Sequence, residues 1–344
     1  MNRPMSAWVL MLGMGCGLQT HVFGAESKGL PLVQMNLSGA AFNAEVIPGK
    51  LNFNFFFPGP ESLEQWRLRG IKVIRFPLVW ERLQPTLNGR FDPTYAGFID
   101  TLLKQAADKG LALILDVHNY GRFRGQVLGS PQVPLSAYRD LMARIAARWH
   151  VSPGLHGYDL MNEPHDQADA GWPQAAQAGI DGIRSVDVQK PIFVEGRQWS
   201  STVNWPNLND PLLALRDPAD KLVFSAHLYL DDNASGTYQR GPGAAFDTQV
   251  GVQRAKPFVE WLKRHRKQGH IGEFGFPADD PRWAEAAVPL LNYLQAQCVP
   301  LAYWAAGPGW GPGGTSVEPE NGVDRAQWKT VAPYVNAGNC KLAY

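Results

Sequence analysis

The stretch "DPTYAGFIDTLLKQAADKGLALILDVH", residues 92–118, places a helical pattern directly before a buried strand. Its first part opens with Asp92-Pro93 and closes with Lys109-Gly110, residues that commonly begin and end a helix. Its second part, "LALILDVH" (111–118), is an apolar run that stops at polar residues. Such runs are typical of strands buried on both faces of a parallel sheet.

The same unit recurs along the chain. Short apolar runs predict strands at 32–36, 71–77, 111–118, 157–163, 191–196, 222–229, 270–274 and 300–305. Helical patterns lie at 61–70, 92–110, 134–150, 248–269 and 281–297, with a weaker one at 207–221. Eight strands alternating with helices predict an α/β fold, a single-domain (β/α)8 TIM barrel. The alternative is an open doubly wound sheet, but "MNLSGAAFN" (35–43) lacks the glycine-rich turn expected after its first strand.

Composition excludes some functions. The chain has 344 residues, of which 45% are hydrophobic, and a formal net charge of +1. A charge near zero argues against nucleic acid as the main ligand, because phosphate binding needs a basic excess. Twelve tryptophans is a high count. Their flat rings can fill a core or stack on sugars, and composition alone does not choose between these uses.

The N-terminus carries one early arginine and then a long uncharged run. This pattern is typical of a secretory signal peptide and is too short and weakly apolar for a membrane span. We predict a signal peptide at 1–25, cleaved near Gly24 or Ala25, and a catalytic domain at 26–344. A lipid anchor at Cys16 is a weaker alternative, because "LGMG" before it is a poor lipobox. The expected product is a secreted, soluble monomer in the periplasm or the medium.

Two cysteines, Cys298 and Cys340, remain after the leader. An even pair in an exported chain suggests one disulfide that ties the C-terminal tail to the barrel. The alternative is two unrelated buried thiols.

Polar or aromatic residues stand at the ends of nearly all the predicted strands. They are Asn36, Arg75, Asp116, His118, Asn119, Asn162, Glu163, Glu195, His227, Tyr229, Glu273 and Trp304. A single such residue is usually a satisfied core group. Repetition around the barrel is harder to explain by packing, because each buried polar group without a partner costs about 1–3 kcal/mol. Chemistry in these barrels lies at the carboxyl ends of the strands.

Two glutamates, Glu163 and Glu273, end the fourth and seventh predicted strands, which face each other across the mouth. Glycoside cleavage needs such a pair, and the retaining version places the carboxyl groups about 5–5.5 Å apart. Glu195 is the rival, but it ends the fifth strand beside Glu163 and away from Glu273, so we do not expect it to be a catalyst. Pro164 disfavours helical geometry at Glu163, so an extended backbone is expected there.

The neighbouring residues suggest supporting roles. Arg75 is expected near Glu273, where it favours the ionised carboxylate, and Tyr229 could donate its hydroxyl to the same group. Asn162 is expected to reach a sugar 2-hydroxyl, a contact that strengthens in the transition state.

The remaining strand ends predict orienting and stacking groups. His118 and His227 could orient the acid and hold sugar hydroxyls, while Trp304 would form a stacking floor. Asp116 shares a face with His118 and is expected to support it. No metal ion is expected, because barrel metal hydrolases typically begin with an HxH pair after the first strand, where this chain reads "QMNLS".

Eight motifs together resemble glycoside hydrolase family 5, and most closely its subfamily 5 of secreted bacterial and fungal endo-β-1,4-glucanases. They are "NLSGAAFN", "NFFFPGP", "VIRFPLVWERLQP", "DVHNYGR", "LMNEPH", "SAHLYLDDNASGT", "IGEFG" and "YWAAGPGWG", in order from about residue 33 to 320. The resemblance implies that Glu163 is the acid/base and Glu273 the nucleophile of a retaining double displacement without a cofactor. It also implies that Arg75, His118, Asn162, His227, Tyr229 and Trp304 are active-site residues, to which the strand-end pattern adds Asn36 and Asn119.

The sequence departs from the family in two places. Gly309 precedes a lone Trp310 where the family often has two tryptophans, and the loop "GRFRGQVLGSPQVP" (121–134) is its own. Both concern the outer sugar subsites. The expected substrate is a β-glucan polysaccharide. A mannanase, xylanase or mixed-linkage glucanase is the alternative within the same chemistry, and a non-catalytic carbohydrate-binding barrel is the alternative outside it.

Overall fold

A closed barrel of eight parallel strands forms the centre of the computed structural model, which describes residue 1 and residues 29–340 except the side chain of Asn339. The strands are β1 (Val33–Leu37), β2 (Val73–Leu78), β3 (Ala112–Val117), β4 (Leu155–Asp159), β5 (Ile192–Glu195), β6 (Leu222–Tyr229), β7 (Gln268–Gly275) and β8 (Leu301–Ala306). They follow chain order around the barrel, which closes where Leu301 of β8 pairs with Val33 of β1. The predicted TIM barrel is therefore confirmed. The predicted signal peptide, beyond its first residue, lies outside the described residues.

Helices follow the strands and cover the outside of the barrel. They are α1 (Pro60–Leu68), α2 (Pro93–Asp108), α3 (Leu135–Trp149), α4 (Trp172–Arg184), α5 (Trp205–Leu208), α6 (Val250–His265), α7 (Pro281–Gln297) and α8 (Ala326–Val335). A one-turn helix (Trp80–Leu83) and four 3-10 turns (Gly39–Ala41, Asp166–Ala168, Thr202–Asn204 and Asp210–Ala214) lie in the loops. No helix among these described residues is both long and apolar enough for a membrane span.

Helix α2, predicted from the stretch 92–110, begins at the predicted Asp92-Pro93. The Asp92 side chain accepts a hydrogen bond from the Tyr95 N–H at 2.8 Å and caps this helix. The prediction missed α4 and α8. Glycines weaken the helical signal of α4, yet packing requires one of them: a Cβ at Gly182 would lie 2.4 Å from the Arg139 carbonyl oxygen of α3. The predicted helix 207–221 is only the end of α5 and a 3-10 turn, since its proline and aspartate residues favour turns.

The fourth predicted strand was wrong at its carboxyl end. The strand stops at Asp159, four residues before Glu163. Glu163 has a φ of +44°, in the left-handed region, so the expected extended backbone is also wrong. The Glu163 N–H donates to the Glu195 carboxylate at 2.6 Å, and this bond holds the turn in place.

The floor of the barrel is apolar. Leu30, Val73, Ile114, Phe193 and Val223 form a buried cluster at the amino ends of the strands. Leu30–Pro31, just before β1, pairs antiparallel with Asn339–Cys340. This two-strand pair therefore lies on the side of the barrel opposite the mouth.

Cys298, which ends α7, contacts Cys340 of the floor pair, and both are thiols in this structure. Burial and this contact raise the pKa of Cys340 to about 12. The two predicted partners are therefore neighbours, and the bond between them stays a prediction.

Most tryptophans belong to the core. Trp66, Trp80, Trp172, Trp205, Trp261 and Trp283 are among the largest fully buried side chains. Trp199, Trp304 and Trp310 remain exposed or half-buried, all at the mouth side of the barrel. Only these three are candidates for contact with a ligand among the described tryptophans.

Candidate active site

Arg75 of β2 lies at the centre of the mouth and is fully buried. Its guanidinium forms ion pairs with Asp116 (3.0 Å), Asp159 (2.8 Å), Glu195 (2.8 Å) and Glu273 (3.0 Å). Burial opposes its charge, but the four carboxylates outweigh burial and hold the pKa of Arg75 well above its ordinary value. A permanent cation thus organises the strand ends of β3, β4, β5 and β7.

The pKa values of two carboxyl groups around Arg75 shift in opposite directions. Burial raises the pKa of Asp159 well above its ordinary range despite Arg75, and Glu195 adds to the rise. Burial also acts on Asp116, but Arg75 and His118 outweigh it and lower its pKa. Burial therefore favours the neutral form of Asp159, whereas Arg75 and His118 favour the ionised form of Asp116.

The two predicted catalytic glutamates meet at the mouth. Glu273 of β7 is almost fully buried and Glu163 is partly exposed. One carboxylate oxygen of each, together with a ring nitrogen of His227, lie within 4.8 Å of one another. His227 Nδ1 is 2.7 Å from Glu163 Oε1 and 3.5 Å from Glu273 Oε2. The Tyr229 hydroxyl donates to Glu273 Oε2 at 2.7 Å.

The charge on His227 holds this arrangement together. Burial opposes the imidazolium, but Glu195 and Glu273 outweigh burial and keep the pKa of His227 well above its ordinary value. Burial raises the pKa of Glu273, while His227 and Arg75 oppose the rise and Glu163 adds to it. Both glutamates therefore lie against a ring whose protonated form the surrounding carboxylates favour.

Two parallel rings, His118 and Trp304, and the side-chain amide of Asn162 lie beside the two glutamates. The His118 ring lies parallel to the Trp304 ring, with centroids 5.6 Å apart, and its Nδ1 is 2.7 Å from Asp116. Asn162 accepts a hydrogen bond from Arg75 at 2.9 Å. Its amide nitrogen is buried and has no partner within residues 29–340. One donor thus remains available beside the glutamates.

Two of the predicted site residues, Asn36 and Asn119, use their side-chain amides in hydrogen bonds within the protein. Asn36 accepts from Arg75 at 3.1 Å and donates to the Gly272 carbonyl at 3.0 Å. Asn119 accepts from the Trp80 N–H at 2.7 Å and donates to Glu81 at 2.6 Å. Their amides brace the strand ends and loops instead of facing the two glutamates.

A comparison with protein families decides the membership of the chain. The family model described as "Cellulase (glycosyl hydrolase family 5)" matches residues 37–309. The chain belongs to glycoside hydrolase family 5.

Relatives of this family 5 chain are similar over most of their length. The "Probable endo-beta-1,4-glucanase B" of Aspergillus oryzae is 33% identical over 293 residues, covering 84% of this chain and 85% of its own. The Pseudomonas stutzeri endoglucanase Cel5A, solved with cellobiose, is 43% identical with a TM-score of 0.88, covering 92% of this chain and 96% of its own. XacCel5A, solved with cellopentaose, is 32% identical with a TM-score of 0.82, and the match covers 89% of this chain and 99% of XacCel5A. The family 5 chain is accordingly a glycoside hydrolase.

Sequence reasoning missed two aromatic groups of this family 5 site. Burial raises the pKa of Tyr120, and the nearby charges of Glu163 and Glu273 add to the rise. Tyr120 follows "DVHN" directly, so its position could have suggested it. The Trp199 ring stacks on His165, with centroids 4.4 Å apart and planes 7° apart, and is 46% exposed. No local pattern marks Trp199, because it lies in an irregular loop.

The loop that departs from the family borders the site. It contains a short hairpin, Arg122–Phe123 with Gln126–Val127. Arg122 donates to the His165 carbonyl at 3.2 Å and thereby braces the segment after Glu163. A recess of about 360 Å³ lies between this loop and His118. The loop therefore shapes the rim of the cleft.

Proposed function

We propose that the protein is a retaining endo-β-1,4-glucanase that hydrolyses internal bonds of cellulose-type β-glucans, with Glu163 as acid/base and Glu273 as nucleophile. The observation that carries the proposal is the pair of carboxylates, with oxygens within 4.8 Å of each other at the mouth. The retaining mechanism uses carboxyl groups about 5–5.5 Å apart, whereas inversion needs room for a water between them.

The two carboxyl groups act in turn. In the first step Glu163 gives its proton to the glycosidic oxygen while Glu273 attacks the anomeric carbon, which yields a covalent glycosyl-enzyme. In the second step Glu163 takes a proton from water as that water displaces Glu273. Arg75 at 3.0 Å and the Tyr229 hydroxyl at 2.7 Å both favour the ionised nucleophile.

The surrounding groups suit a sugar chain. The free amide nitrogen of Asn162 could donate to a sugar 2-hydroxyl, a contact that strengthens in the transition state. Trp310 lies beside Trp304 on the β8 and β1 side, and its indole donates to Ser38 at 2.9 Å. Trp199 lies on the opposite side, after β5. Aromatic faces on both sides of the glutamates favour cleavage within a chain rather than at its end.

The substrate assignment rests on relatives. Proteins named endo-β-1,4-glucanase, and structures with cellobiose or cellopentaose, support a β-1,4-glucan. The same carboxylate geometry would serve a mannanase, xylanase or mixed-linkage glucanase. A side-by-side product analysis on carboxymethylcellulose, mannan, xylan and mixed-linkage glucan separates them, and preference for mannan or xylan would overturn the substrate assignment.

The catalytic assignment is tested by two isosteric variants. Glu163→Gln and Glu273→Gln should each cut turnover on carboxymethylcellulose by several orders of magnitude while thermal unfolding stays close to wild type. Near-normal activity of either variant would disprove its role. Azide added to Glu273→Ala should yield an α-glycosyl azide, because azide then attacks from the face that the nucleophile occupied. A β-product would instead assign Glu273 as the base.

We also propose export of a soluble monomer after cleavage near Gly24 or Ala25. The uncharged leader pattern and the likeness to enzymes of polysaccharide degradation support it. Intact-mass measurement of the protein recovered from the periplasm and the medium would locate the cleavage. A retained N-terminus, or a dimer by light scattering, would contradict the corresponding part of the proposal.

A further inference from the structure

Glu195, at the end of β5, is fully buried and uses both carboxylate oxygens in the catalytic centre. Its Oε2 accepts the backbone N–H of Glu163 at 2.6 Å. Its Oε1 lies 3.0 Å from His227 Nε2 and accepts a hydrogen bond from Arg75 at 2.8 Å. The Trp172 indole donates to its backbone carbonyl at 2.7 Å, so the strand end itself is fixed.

We propose, resting on the function proposed above, that Glu195 is a positioning residue for the acid/base: one oxygen fixes the backbone of Glu163, and the other holds His227 so that its Nδ1–H points at the Glu163 carboxylate. Glu195 does not touch the substrate. It therefore acts on catalysis only through Glu163 and His227.

The contacts explain why a carboxylate stands at this position. Three donors, the Glu163 N–H, the His227 Nε2–H and an Arg75 N–H, converge on two oxygens. A glutamine amide has one oxygen and one NH2 group. Whichever way it turned, its NH2 would face one or more of these donors. Only an ionised side chain accepts all three bonds.

The left-handed backbone of Glu163 makes the first contact necessary. A φ of +44° is unfavourable for a side chain with a Cβ and persists only when surrounding bonds hold it. The bond from its N–H to Glu195 fixes the backbone of this residue from outside its own loop. Without it, the carboxyl group would lose its alignment with the glycosidic oxygen.

The second contact governs the proton on His227. With Nε2–H held by Glu195, the imidazolium keeps Nδ1–H as a donor to Glu163. In the first step the Glu163 proton moves to the leaving oxygen and leaves a carboxylate, which the Nδ1–H stabilises. In the second step Glu163 regains a proton from water. His227 keeps both of its protons throughout, so the proton count is balanced over one turnover.

Other charged groups also face His227, and together with Glu195 they determine how the pKa of His227 changes in a Glu195 variant. Glu273 lies 3.5 Å from Nδ1, and the charge of Asp116 lies farther away across the barrel mouth. His270, on β7, is buried nearby, and its pKa is well below its ordinary value mainly because of burial. Removing the Glu195 charge takes one carboxylate away from His227 and leaves Glu163 at 2.7 Å and Glu273 at 3.5 Å from Nδ1, so His227 should lose its proton at a lower pH.

The test compares Glu195→Gln with Asp159→Asn. Both changes remove a buried carboxyl group that lies 2.8 Å from Arg75. Asp159 has no hydrogen bond to Glu163 or His227 among the described contacts, so it is a matched control. The readouts are kcat and KM on a soluble cello-oligosaccharide across pH, and kcat/KM on 2,4-dinitrophenyl β-cellobioside, which reports only the first step and whose leaving group needs no acid.

Glu195→Gln should lower kcat on the oligosaccharide by about 100-fold, the lower range of general acid catalysis, with little change in KM. Its alkaline limb should move down by about one pH unit, the low end of the shift that one nearby charge produces. The kcat/KM for the dinitrophenyl substrate should change little. Asp159→Asn should leave the alkaline limb where it is.

The inference is overturned if folded Glu195→Gln keeps the wild-type alkaline limb, or if both substrates lose rate equally. If the variant does not fold, the wild-type protein still allows a test. Nitrogen NMR of the wild type should find both His227 nitrogens protonated at neutral pH. An unprotonated Nδ1 would refute the inference. Failure of the proposed function is distinguishable, since Glu163→Gln would then remain active.

Discussion

The Tyr229 hydroxyl offers a direct test of how the nucleophile is kept ionised. It donates to Glu273 Oε2 at 2.7 Å, and both side chains are almost fully buried. Tyr229→Phe removes this one donor. The ring should stay in place, because it packs closely over Gly236, where a Cβ would come within 2.8 Å of it.

The magnitude follows from the bond. A hydrogen bond to a charged group contributes about 1.5–3 kcal/mol, and one pKa unit corresponds to about 1.4 kcal/mol. Burial already raises the pKa of Glu273. Because the hydroxyl stabilises only the ionised carboxylate, its removal should raise that pKa further, by about one to two units.

The sign for activity is fixed by the mechanism. Glu273 must be ionised to attack, so a higher pKa means that activity is lost at a higher pH as the solution is acidified. The acid limb of kcat/KM on cellotetraose should therefore move up by about one to two pH units. The alkaline limb should remain close to wild type, since the Tyr229 hydroxyl bonds to Glu273 and the change removes no bond to Glu163 or His227.

Tyr238→Phe is the control. Its hydroxyl donates to the Gly275 carbonyl at 2.6 Å and accepts from the Leu230 N–H at 3.0 Å, and it has no carboxylate partner in the described part of the chain. This variant should lose stability without moving the acid limb. An unmoved acid limb in Tyr229→Phe, with wild-type folding, would refute the reasoning.

Further outcomes follow from the same geometry. Arg75→Met should destabilise the fold by about 3–5 kcal/mol in guanidinium unfolding, because it leaves buried carboxylates without their cation; a change below about 1 kcal/mol would contradict the central role of this ion cluster. Dialysis against EDTA should leave activity unchanged, because the carboxylate and imidazole groups that could hold a metal already bond to one another; activity that disappears and returns with added metal would show the opposite. Thiol titration of denatured, unreduced mature protein should find no free thiol if Cys298 and Cys340 are bridged, and two free thiols would rule the bridge out.

The barrel was predictable because its strands are continuous apolar runs. The limits of β6 were predicted to the residue, at 222–229. Other strands were displaced by one to four residues at an end. The alternation itself, together with the helix caps, was enough to predict a closed parallel barrel.

Part of the site followed from the fold. Residues at strand ends converge in any such barrel, so the proximity of Arg75 to Glu273 needed no knowledge of side-chain rotamers. The direction in which a loop side chain points is not encoded in such a pattern. Asn119 was expected to face substrate, but its amide turns toward Glu81 and the short helix before α2.

The segment after β4 shows a second limit. Its backbone at Glu163 is held by Glu195, a contact between residues 32 positions apart. Local propensity predicted an extended conformation, and a tertiary hydrogen bond overrode it. The position of the exposed Trp199 was also not predictable from local sequence, because Trp199 lies in the loop after β5.

The pairing of Leu30 with Cys340 brings the two ends of the described fold together beneath the barrel, away from the cleft. A protein module fused at either end would emerge on this closed side and leave the path of a long polysaccharide clear. Attachment to a solid support through the same ends would orient the cleft outward. A short peptide joining the two ends would permit new termini elsewhere on the surface without stretching any strand of the barrel.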